Sequence, residues 1–153
     1  KFNLPKVVSV QNPYSLLNRS YEVGLAEISI REKCGLLAYS PLAFGMLTGK
    51  YDDGKKPEKA RLTLYANMYT RYTKEKGIKY SRKLNKLARE SGITPTQMAL
   101  GFVNSRPFVT SNIIGATNID QLNENIKTFD IELGEDLLEK IEEIHDECPF
   151  PCP

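Results

Sequence analysis

Three short apolar runs of the sequence each lead into residues that could bind a ligand. Gln11 follows the run at residues 7–10, and Tyr39 ends the second run. Thr117 follows the third run, at residues 111–116. Folds of the α/β class place their sites at the carboxyl ends of strands, where glycine backbones and helix N-termini suit phosphate. The pattern indicates a site for a phosphorylated ligand, although each glycine taken singly is more typical of an ordinary turn.

The segment 45–51, Gly-Met-Leu-Thr-Gly-Lys-Tyr, invites comparison with a nucleotide-binding P-loop. It does not fit, because only three residues separate the glycines and Tyr51 stands where Ser or Thr must hold magnesium. The sequence also lacks the Gly-x-Gly-x-x-Gly pattern of the common dinucleotide fold. Lys50 and Arg61, both in the long loop after the second run, remain as cations that could reach the strand ends.

The apolar runs also predict the elements that position these residues. Runs without polar alternation are typical of parallel strands buried on both faces. Helices are predicted at residues 21–33 with Ser20 as N-cap, at 80–90, after a capping box at Thr94, after Asn118 and after Gly134. The order βα, βαα, βαα predicts a parallel sheet with right-handed crossovers.

Three strands are too few to close such a fold. A doubly wound domain has more strands, and an eight-stranded barrel takes about 250 residues. We therefore expect residues 1–153 to be one portion of a larger α/β domain, with the absent part on the N-terminal side. The last helix and its proline-rich tail have the character of a natural end.

Composition excludes several classes of protein. The chain is 41% hydrophobic and 26% charged, as globular domains are. No apolar stretch approaches the roughly 20 residues of a membrane span, and residues 1–5 do not resemble a signal peptide. A formal net charge of +2 is far from a nucleic-acid signature. We expect a cytoplasmic protein with neither a membrane nor a nucleic acid as partner.

The charge is distributed unevenly. Residues 50–90 contain 13 basic and 5 acidic residues, whereas residues 119–147 contain 2 basic and 11 acidic residues. Two solvated helical faces of opposite sign explain this pattern. Alternatively, the basic segment helps to attract a phosphorylated ligand.

The three cysteines and the single histidine do not indicate a metal site. Cys148 and Cys152 would need two further ligands, and His145 is the only histidine. Cys34 is expected in the core and His145 on the surface. A sparse, odd set of thiols is typical of a reducing compartment.

Three segments resemble the aldo-keto reductases. They are Val-Gln-Asn-Pro-Tyr-Ser-Leu-Leu-Asn-Arg at 10–19, Ala-Tyr-Ser-Pro-Leu-Ala-Phe-Gly-Met-Leu-Thr-Gly-Lys-Tyr at 38–51 and Ile-Ile-Gly-Ala-Thr-Asn-Ile-Asp-Gln-Leu-Asn-Glu-Asn-Ile at 113–126. The similarity is greatest to Tas-like bacterial members, with voltage-gated potassium-channel β subunits as relatives. It implies the C-terminal part of a (β/α)8 barrel, binding of NADPH, and reduction of aldehydes or ketones by the whole protein.

The resemblance also implies roles for individual residues. Gln11 matches the residue that holds the nicotinamide carboxamide, and Tyr39 matches the aromatic ring on which the nicotinamide stacks. Residues along the pyrophosphate are Ser40, Pro41, Leu42, Ala43 and Gly45, with Lys50 and Arg61 as cations. Residues at the adenosine end are Gly115, Thr117, Gln121, Glu124 and Asn125. Singly, Tyr39 could be a buried strand aromatic, and Gln121 and Asn125 could be surface residues.

No part of the chain matches the family's catalytic Tyr, Lys, Asp and His. Tyr14 lies near Gln11 but is not in that context. We therefore expect no catalytic residue here, and a chain that is silent alone because nothing protonates the developing alkoxide. The alternatives are a non-enzymatic nucleotide-binding or regulatory module, and a structural piece that associates with an N-terminal barrel half or with itself.

Overall fold

The computed structural model describes residues 4–153. Three parallel strands, β1 (Ser9–Pro13), β2 (Gly35–Tyr39) and β3 (Val109–Ile113), form one sheet in the order β1-β2-β3. Since all three strands run the same way, their carboxyl ends meet at one edge of the sheet. The predicted parallel sheet of three strands is confirmed.

Seven α-helices in the described part of the chain accompany the sheet. They are α1 (Leu25–Glu32), α2 (Arg61–Leu64), α3 (Thr70–Thr73), α4 (Glu75–Glu90), α5 (Pro95–Asn104), α6 (Ile119–Lys127) and α7 (Glu135–Glu147). Short 3-10 turns occupy Ser20–Glu22, Ala43–Thr48, Asp52–Gly54, Ala66–Met68 and Thr128–Asp130. None of the helices described is both long and apolar enough to cross a membrane.

The predicted strand bounds shift at both sheet edges. β1 begins at Ser9, because Ser9 pairs with Gly35, the first residue of β2. Two residues before Gly35, Lys33 ends α1 in a left-handed conformation, with φ 51°. β3 begins at Val109, two residues before the predicted start, and ends at Ile113, three residues before the predicted end. Its pairing with β2 contains an irregularity between Leu36 and Leu37, which the residue pattern does not reveal.

The prediction of one helix from residue 21 to residue 33 is wrong. Gly24 has φ 124°, a conformation outside the helical range, and it separates the turn at Ser20–Glu22 from α1. Ser20 therefore does not cap α1, whose N-cap is Gly24 itself. The helix predicted at residues 80–90 is longer at its start and runs from Glu75 to Glu90.

The capping predictions for the later helices are confirmed. The N–H of Gln97 donates to Thr94 Oγ1 at 3.1 Å, and the N–H of Thr94 donates to Gln97 Oε1 at 2.8 Å. These reciprocal bonds form the predicted capping box at the start of α5. The N–H of Gln121 donates to Asn118 Oδ1 at 2.9 Å and caps α6.

The core lies between one face of the sheet and the helices. Leu36 and Ala38 of β2 are fully buried there, against a layer that includes Phe102 of α5 and Leu84 of α4. Burial of Phe102 stabilises the fold strongly, because truncating such a ring to alanine costs about 3–5 kcal/mol. The opposite face of β2 is less covered in the described part, with Leu37 half-buried and Tyr39 exposed, as expected for three strands that are one portion of a larger fold.

The proline-rich tail packs onto the core. The N–H of Cys152 donates to the carbonyl of Leu17 at 3.0 Å, and the thiol is fully buried near Gly77. Cys34, expected in the core, is only half-buried. Residues 1–3, where the sequence analysis looked for a signal peptide, lie outside the described residues.

Candidate functional site

The strand register places Gln11 and Tyr39 on the same face of the sheet. Gln11 pairs with Leu37 and Pro13 pairs with Tyr39, and residues opposite each other in adjacent strands point to the same side. This side is opposite to the one that buries Leu36. Gln11 is exposed and the Tyr39 side chain keeps 39% of its surface accessible. A planar ligand lying on this face can reach both side chains.

The loop after β2 adopts an uncommon backbone. Ser40, Ala43 and Phe44 have φ of 57°, 47° and 58°, and Gly45 has φ 95°. Each left-handed residue other than glycine costs on the order of 1 kcal/mol or more and persists only where its surroundings enforce it. Such residues cluster at ligand sites, which makes this loop the strongest local indication of a site in the described chain.

Lys50 lies across Gly45. A Cβ atom added to Gly45 would stand 2.3 Å from Lys50 Cε and 2.8 Å from Lys50 Nζ, so glycine is required for this approach. The ammonium is also 5.6 Å from the centroid of the Tyr51 ring. Burial and the nearby Arg61 guanidinium hold the pKa of Lys50 below its usual value.

Arg61 completes a pair of cations with Lys50. Its guanidinium carbon lies 4.8 Å from the centroid of Phe44, which itself packs 4.2 Å from Tyr69 and 5.0 Å from Tyr72. In the described part of the chain, neither Lys50 nor Arg61 has a carboxylate oxygen within the 4.0 Å of a salt bridge. Two neighbouring cations without an acidic partner form a site suited to an anion.

The remaining loop residues differ in how accessible they are. Pro41 and Ala43 are buried and hold the turn against the core, whereas Ser40 and Leu42 are half-buried. The packing of Arg61 on Phe44, with Tyr69 and Tyr72 behind it, was not predicted from the sequence. Its signal was present, since Tyr65, Tyr69 and Tyr72 recur at helical spacing near Arg61.

The turn after β3 is held by its own polar side chains. Gln121 Oε1 accepts hydrogen bonds from the backbone N–H and the hydroxyl of Thr117, both at 3.0 Å. Gly115 is exposed, and a Cβ atom there would meet nothing within 4 Å. The turn therefore presents an open backbone at the N-terminus of α6, an arrangement that suits anions.

Asn125 and Glu124 are also engaged within the protein. Asn125 is buried, and its Nδ2 lies 3.5 Å from the carbonyl oxygen of Gly115, so the alternative that it is a surface residue is wrong. Thr94 Oγ1 donates to Glu124 Oε1 at 3.1 Å. Glu124 keeps its second carboxylate oxygen, and Asn125 keeps its amide oxygen, for a further partner.

The side chains of Tyr14 and His145 do not join these residues, although the Tyr14 N–H donates to the Tyr39 carbonyl at 3.2 Å. Tyr14 is fully buried and its hydroxyl donates to Glu22, and burial raises the pKa of the phenol. His145, expected on the surface, is half-buried, and burial together with Arg19 lowers the pKa of its imidazole. The structure places neither side chain with Gln11 and Tyr39.

The geometry fits the family that the motifs resemble, and a direct comparison decides the point. The family model described as "Aldo/keto reductase family" matches residues 2–146. The chain belongs to the aldo/keto reductase family. Its three parallel strands and helices form part of the (β/α)8 barrel of that family.

Three relatives illustrate the range of aldo/keto reductase sequences similar to this chain. "Protein tas" of Escherichia coli strain K12 is 52% identical over 153 residues, which are 100% of this chain and 44% of that protein. The "Putative voltage-gated potassium channel subunit beta" of Schizosaccharomyces pombe is 34% identical over 94% of this chain and 44% of its own length. The "L-glyceraldehyde 3-phosphate reductase" of E. coli K12 is 36% identical over 78% of this chain and 36% of its own length. The chain thus spans less than half the length of these relatives.

One cavity in the described part of this aldo/keto reductase chain lies away from these residues. It measures about 300 Å³ and is lined by residues such as Ile93, Leu133 and Lys140, at the end of α4 and the start of α7. None of the predicted site residues lines it. Of the predicted residues, Gln11, Tyr39, Gly115 and Thr117 are exposed at or just after the strand ends.

Proposed function

We propose that this chain binds NADPH along the carboxyl ends of its three strands, and that the whole protein reduces an aldehyde or ketone to an alcohol. The observation that carries the proposal is the Lys50–Arg61 cation pair, which lacks an acidic partner in the described part of the chain and lies in the loop after Tyr39. A dinucleotide phosphate supplies the missing negative charge. Membership of the aldo/keto reductase family supports the choice of a nicotinamide cofactor.

Each strand end takes a different part of the cofactor in this proposal. The nicotinamide ring stacks on Tyr39, and Gln11 binds its carboxamide. An aromatic face at this position fixes which side of the ring is presented to the substrate. NADPH, when bound, supplies the hydride.

The loop after β2 takes the pyrophosphate, and the turn after β3 takes the adenosine end. Lys50 and Arg61 neutralise phosphate charge, with Ser40, Pro41, Leu42, Ala43 and Gly45 along the pyrophosphate. Glu124 and Asn125 face the adenine, while Thr117 and Gln121 stand near the 2′-phosphate beside Gly115. The free oxygens of Glu124 and Asn125 support this assignment.

Reduction of a carbonyl needs a proton donor, and no residue of this chain matches the family's catalytic acid. The buried Tyr14 is unsuited to the role, because its hydroxyl is already bonded to Glu22 and burial raises its pKa. We expect no turnover by this chain alone with NADPH and an aromatic aldehyde in a steady-state assay. Turnover by the purified chain would mean that one of its own residues is the proton donor.

The barrel assignment also implies a partner. Apolar side chains of the α1 region and of α6 are exposed, including Val23 at 75%, Ile28 at 56%, Ile119 at 68% and Phe129 at 79%. Exposed apolar patches promote association. We propose that these surfaces contact an N-terminal barrel half or a second copy of the chain. Sedimentation of the chain as a stable monomer at high concentration would contradict self-association.

A second candidate is a nucleotide-binding regulatory module without catalysis. This candidate is supported by the relative named as a potassium channel subunit, which aligns with 94% of this chain. Exposed lysines and arginines of α4 would then form a partner surface. An autonomous module binds NADPH tightly by itself, whereas a reductase portion needs the rest of its barrel for tight binding.

The test of the proposed cofactor site is a titration of the chain with NADPH, in which binding is monitored by fluorescence. Lys50→Met removes one member of the cation pair, and Lys86→Met removes a fully solvated cation of α4 as a matched control. Loss of one phosphate contact should weaken binding by about tenfold, since charged hydrogen bonds contribute about 1.5–3 kcal/mol. Equal affinities for the two variants would overturn the proposed site.

A further inference from the structure

The loop that carries Lys50 is tied to α4 by a buried carboxylate. Asp52 is 8% exposed, and both of its oxygens have partners on that helix. Asn85 Nδ2 donates to Asp52 Oδ1 at 2.9 Å, and Arg89 Nη2 donates to Asp52 Oδ2 at 2.6 Å. Asn85 and Arg89 are four residues apart and therefore lie on one face of α4.

Asn85 holds both ends of the segment that contains Lys50. It is fully buried, and its Nδ2 also donates to the carbonyl of Met46 at 2.9 Å. Both partners, the Met46 carbonyl and the Asp52 carboxylate, accept hydrogen bonds, so the two N–H donors of the amide fix its orientation. A single side chain thus connects residue 46 to residue 52 across the base of the loop.

Arg89 reaches Asp52 over a glycine. A Cβ atom on Gly49 would stand 2.3 Å from Arg89 Nη2 and 3.3 Å from Asp52 Oδ2. Gly49 also has φ 76°, which favours glycine. The two glycines of the loop therefore serve two cations, since Gly45 makes room for Lys50 and Gly49 makes room for Arg89.

We infer that Asp52, Asn85 and Arg89 form a clamp that positions Lys50 for the cofactor phosphates. The clamp residues act through the loop, and none of them is among the residues proposed to touch NADPH. This inference rests on the proposed function for its ligand, while the placement of Lys50 can be tested without any ligand.

Fixing Lys50 in advance strengthens phosphate binding. A free lysine side chain loses conformational freedom when a ligand immobilises it, and this loss lowers the affinity. With the clamp intact, the segment 46–52 is already held at both ends and Lys50 already lies over Gly45. Without the clamp, the ammonium can move into water and away from Arg61.

The first variants to compare are Arg89→Met and Lys86→Met, which change two residues of α4 whose side chains are both solvent-accessible. Lys86 forms an exposed pair with Glu90 at 3.6 Å and makes no hydrogen bond to the loop, so the control removes the same charge from the same helix. Asn85→Ala is the stronger variant, and Ser81→Ala is its buried control, because the Ser81 hydroxyl donates only within α4. Arg89→Lys retains a cation opposite Asp52 and should recover part of the loss.

Two measurements are made on each variant. The first is NADPH affinity, expected to fall by about threefold to tenfold in Arg89→Met and further in Asn85→Ala, as loss of a charge-assisted hydrogen bond predicts. The second is the pH at which the rate of Lys50 acetylation by acetic anhydride is half-maximal, with the modified residue quantified by mass spectrometry. Release from burial and from Arg61 should raise this midpoint towards that of an ordinary lysine, an effect that lower thermal stability alone does not produce.

The outcomes separate the two proposals. Unchanged affinity and an unchanged Lys50 midpoint in both clamp variants would overturn the clamp and leave the proposed cofactor site standing. Failure of the unaltered chain to bind NADPH even at millimolar concentration would count against the cofactor site. In that case the acetylation midpoints alone decide whether the clamp positions Lys50, and an unchanged midpoint would overturn it.

Discussion

The loop after β2 and the turn after β3 both lie at the candidate site, yet different forces hold them. The first is fixed from outside, by Asn85 and Arg89 of α4. The second is fixed from within, because Thr117 donates a hydrogen bond to the Gln121 side chain and the Gln121 N–H donates to Asn118 Oδ1. The first loop stores backbone strain at Ala43 and Phe44, whereas the turn after β3 has no residue of positive φ.

If the region is the proposed dinucleotide site, this difference indicates which part of it must be positioned precisely. A phosphate-binding cation must be held at a fixed place, and only tertiary contacts can enforce a strained loop around it. A turn at the start of a helix needs little support, because the helix already orients its N–H groups. We therefore expect substitutions in the first loop to have larger effects than those in the turn.

The largest effect is expected from Gly45→Ala. The new methyl group would displace the end of the Lys50 side chain, and the left-handed backbone would be strained by on the order of 1 kcal/mol. NADPH affinity should fall by about tenfold or more, because the cation leaves its place. Affinity and urea unfolding are measured together on the same preparation.

Gly54→Ala is the matched control for this change. Gly54 has φ 77°, but a Cβ atom there meets nothing within 4 Å. It should lose a similar amount of stability and keep its affinity. If both variants bind NADPH equally well, the approach of Lys50 to Gly45 has no part in binding.

The next effect concerns pH. The pKa of Lys50 is lowered by burial and by Arg61. Without bound NADPH, the Lys50 ammonium therefore loses its proton at a lower pH than an ordinary lysine does. A bound phosphate favours the charged form, and NADPH binding must therefore weaken as pH rises through this lowered pKa. Lys50→Arg stays protonated and should keep its affinity in alkaline solution. Parallel affinity–pH curves for the two proteins would contradict the assignment of Lys50.

A smaller effect is expected from Asn118→Ala, which removes the N-cap of α6. Loss of such a cap lowers the free energy of unfolding by about 0.5–2 kcal/mol. Affinity should fall less than in Gly45→Ala, because Gln121 still holds Thr117. Urea denaturation and NADPH titration test both parts, and an affinity loss larger than that of Gly45→Ala would reverse the comparison.

The smallest effect on stability is expected from Gly115→Ala. No atom lies within 4 Å of the added Cβ, and the backbone is not left-handed. The free energy of unfolding should change by less than about 0.5 kcal/mol, as for most surface substitutions. A lowered NADPH affinity at unchanged stability would place the cofactor directly against Gly115. A loss of stability beyond that limit would show that the turn is less open than described.

The same contrast explains what the sequence could predict. Asn118 and Thr94 act on residues three positions away, so their caps follow from local spacing, and both are confirmed. The Asn85–Asp52 contact joins residues 33 apart, and no local pattern indicates it. Left-handed Ala43 and Phe44 were equally hidden, since neither residue type favours that conformation.

Strand pairing lies between these cases. The order of the strands follows from alternating elements, but the start of β3 depends on an irregular pairing with β2 that composition does not encode. The break at Gly24 was also missed, because a glycine inside an amphipathic pattern is often tolerated in a helix. The roles assigned to Gln11, Tyr39 and the adenosine-end residues came from family resemblance and stay predictions.

The central claim is that NADPH lies on the open face with its nicotinamide ring against Tyr39. The most direct test is an NMR experiment on the chain with millimolar NADPH, which detects contacts even when binding is weak. We predict nuclear Overhauser effects from nicotinamide protons to the Tyr39 ring, and from adenine protons to the side chain of Asn125. Saturable binding that gives contacts to Ile93 and Leu133 in the cavity near α7, and none to Tyr39, would contradict the account.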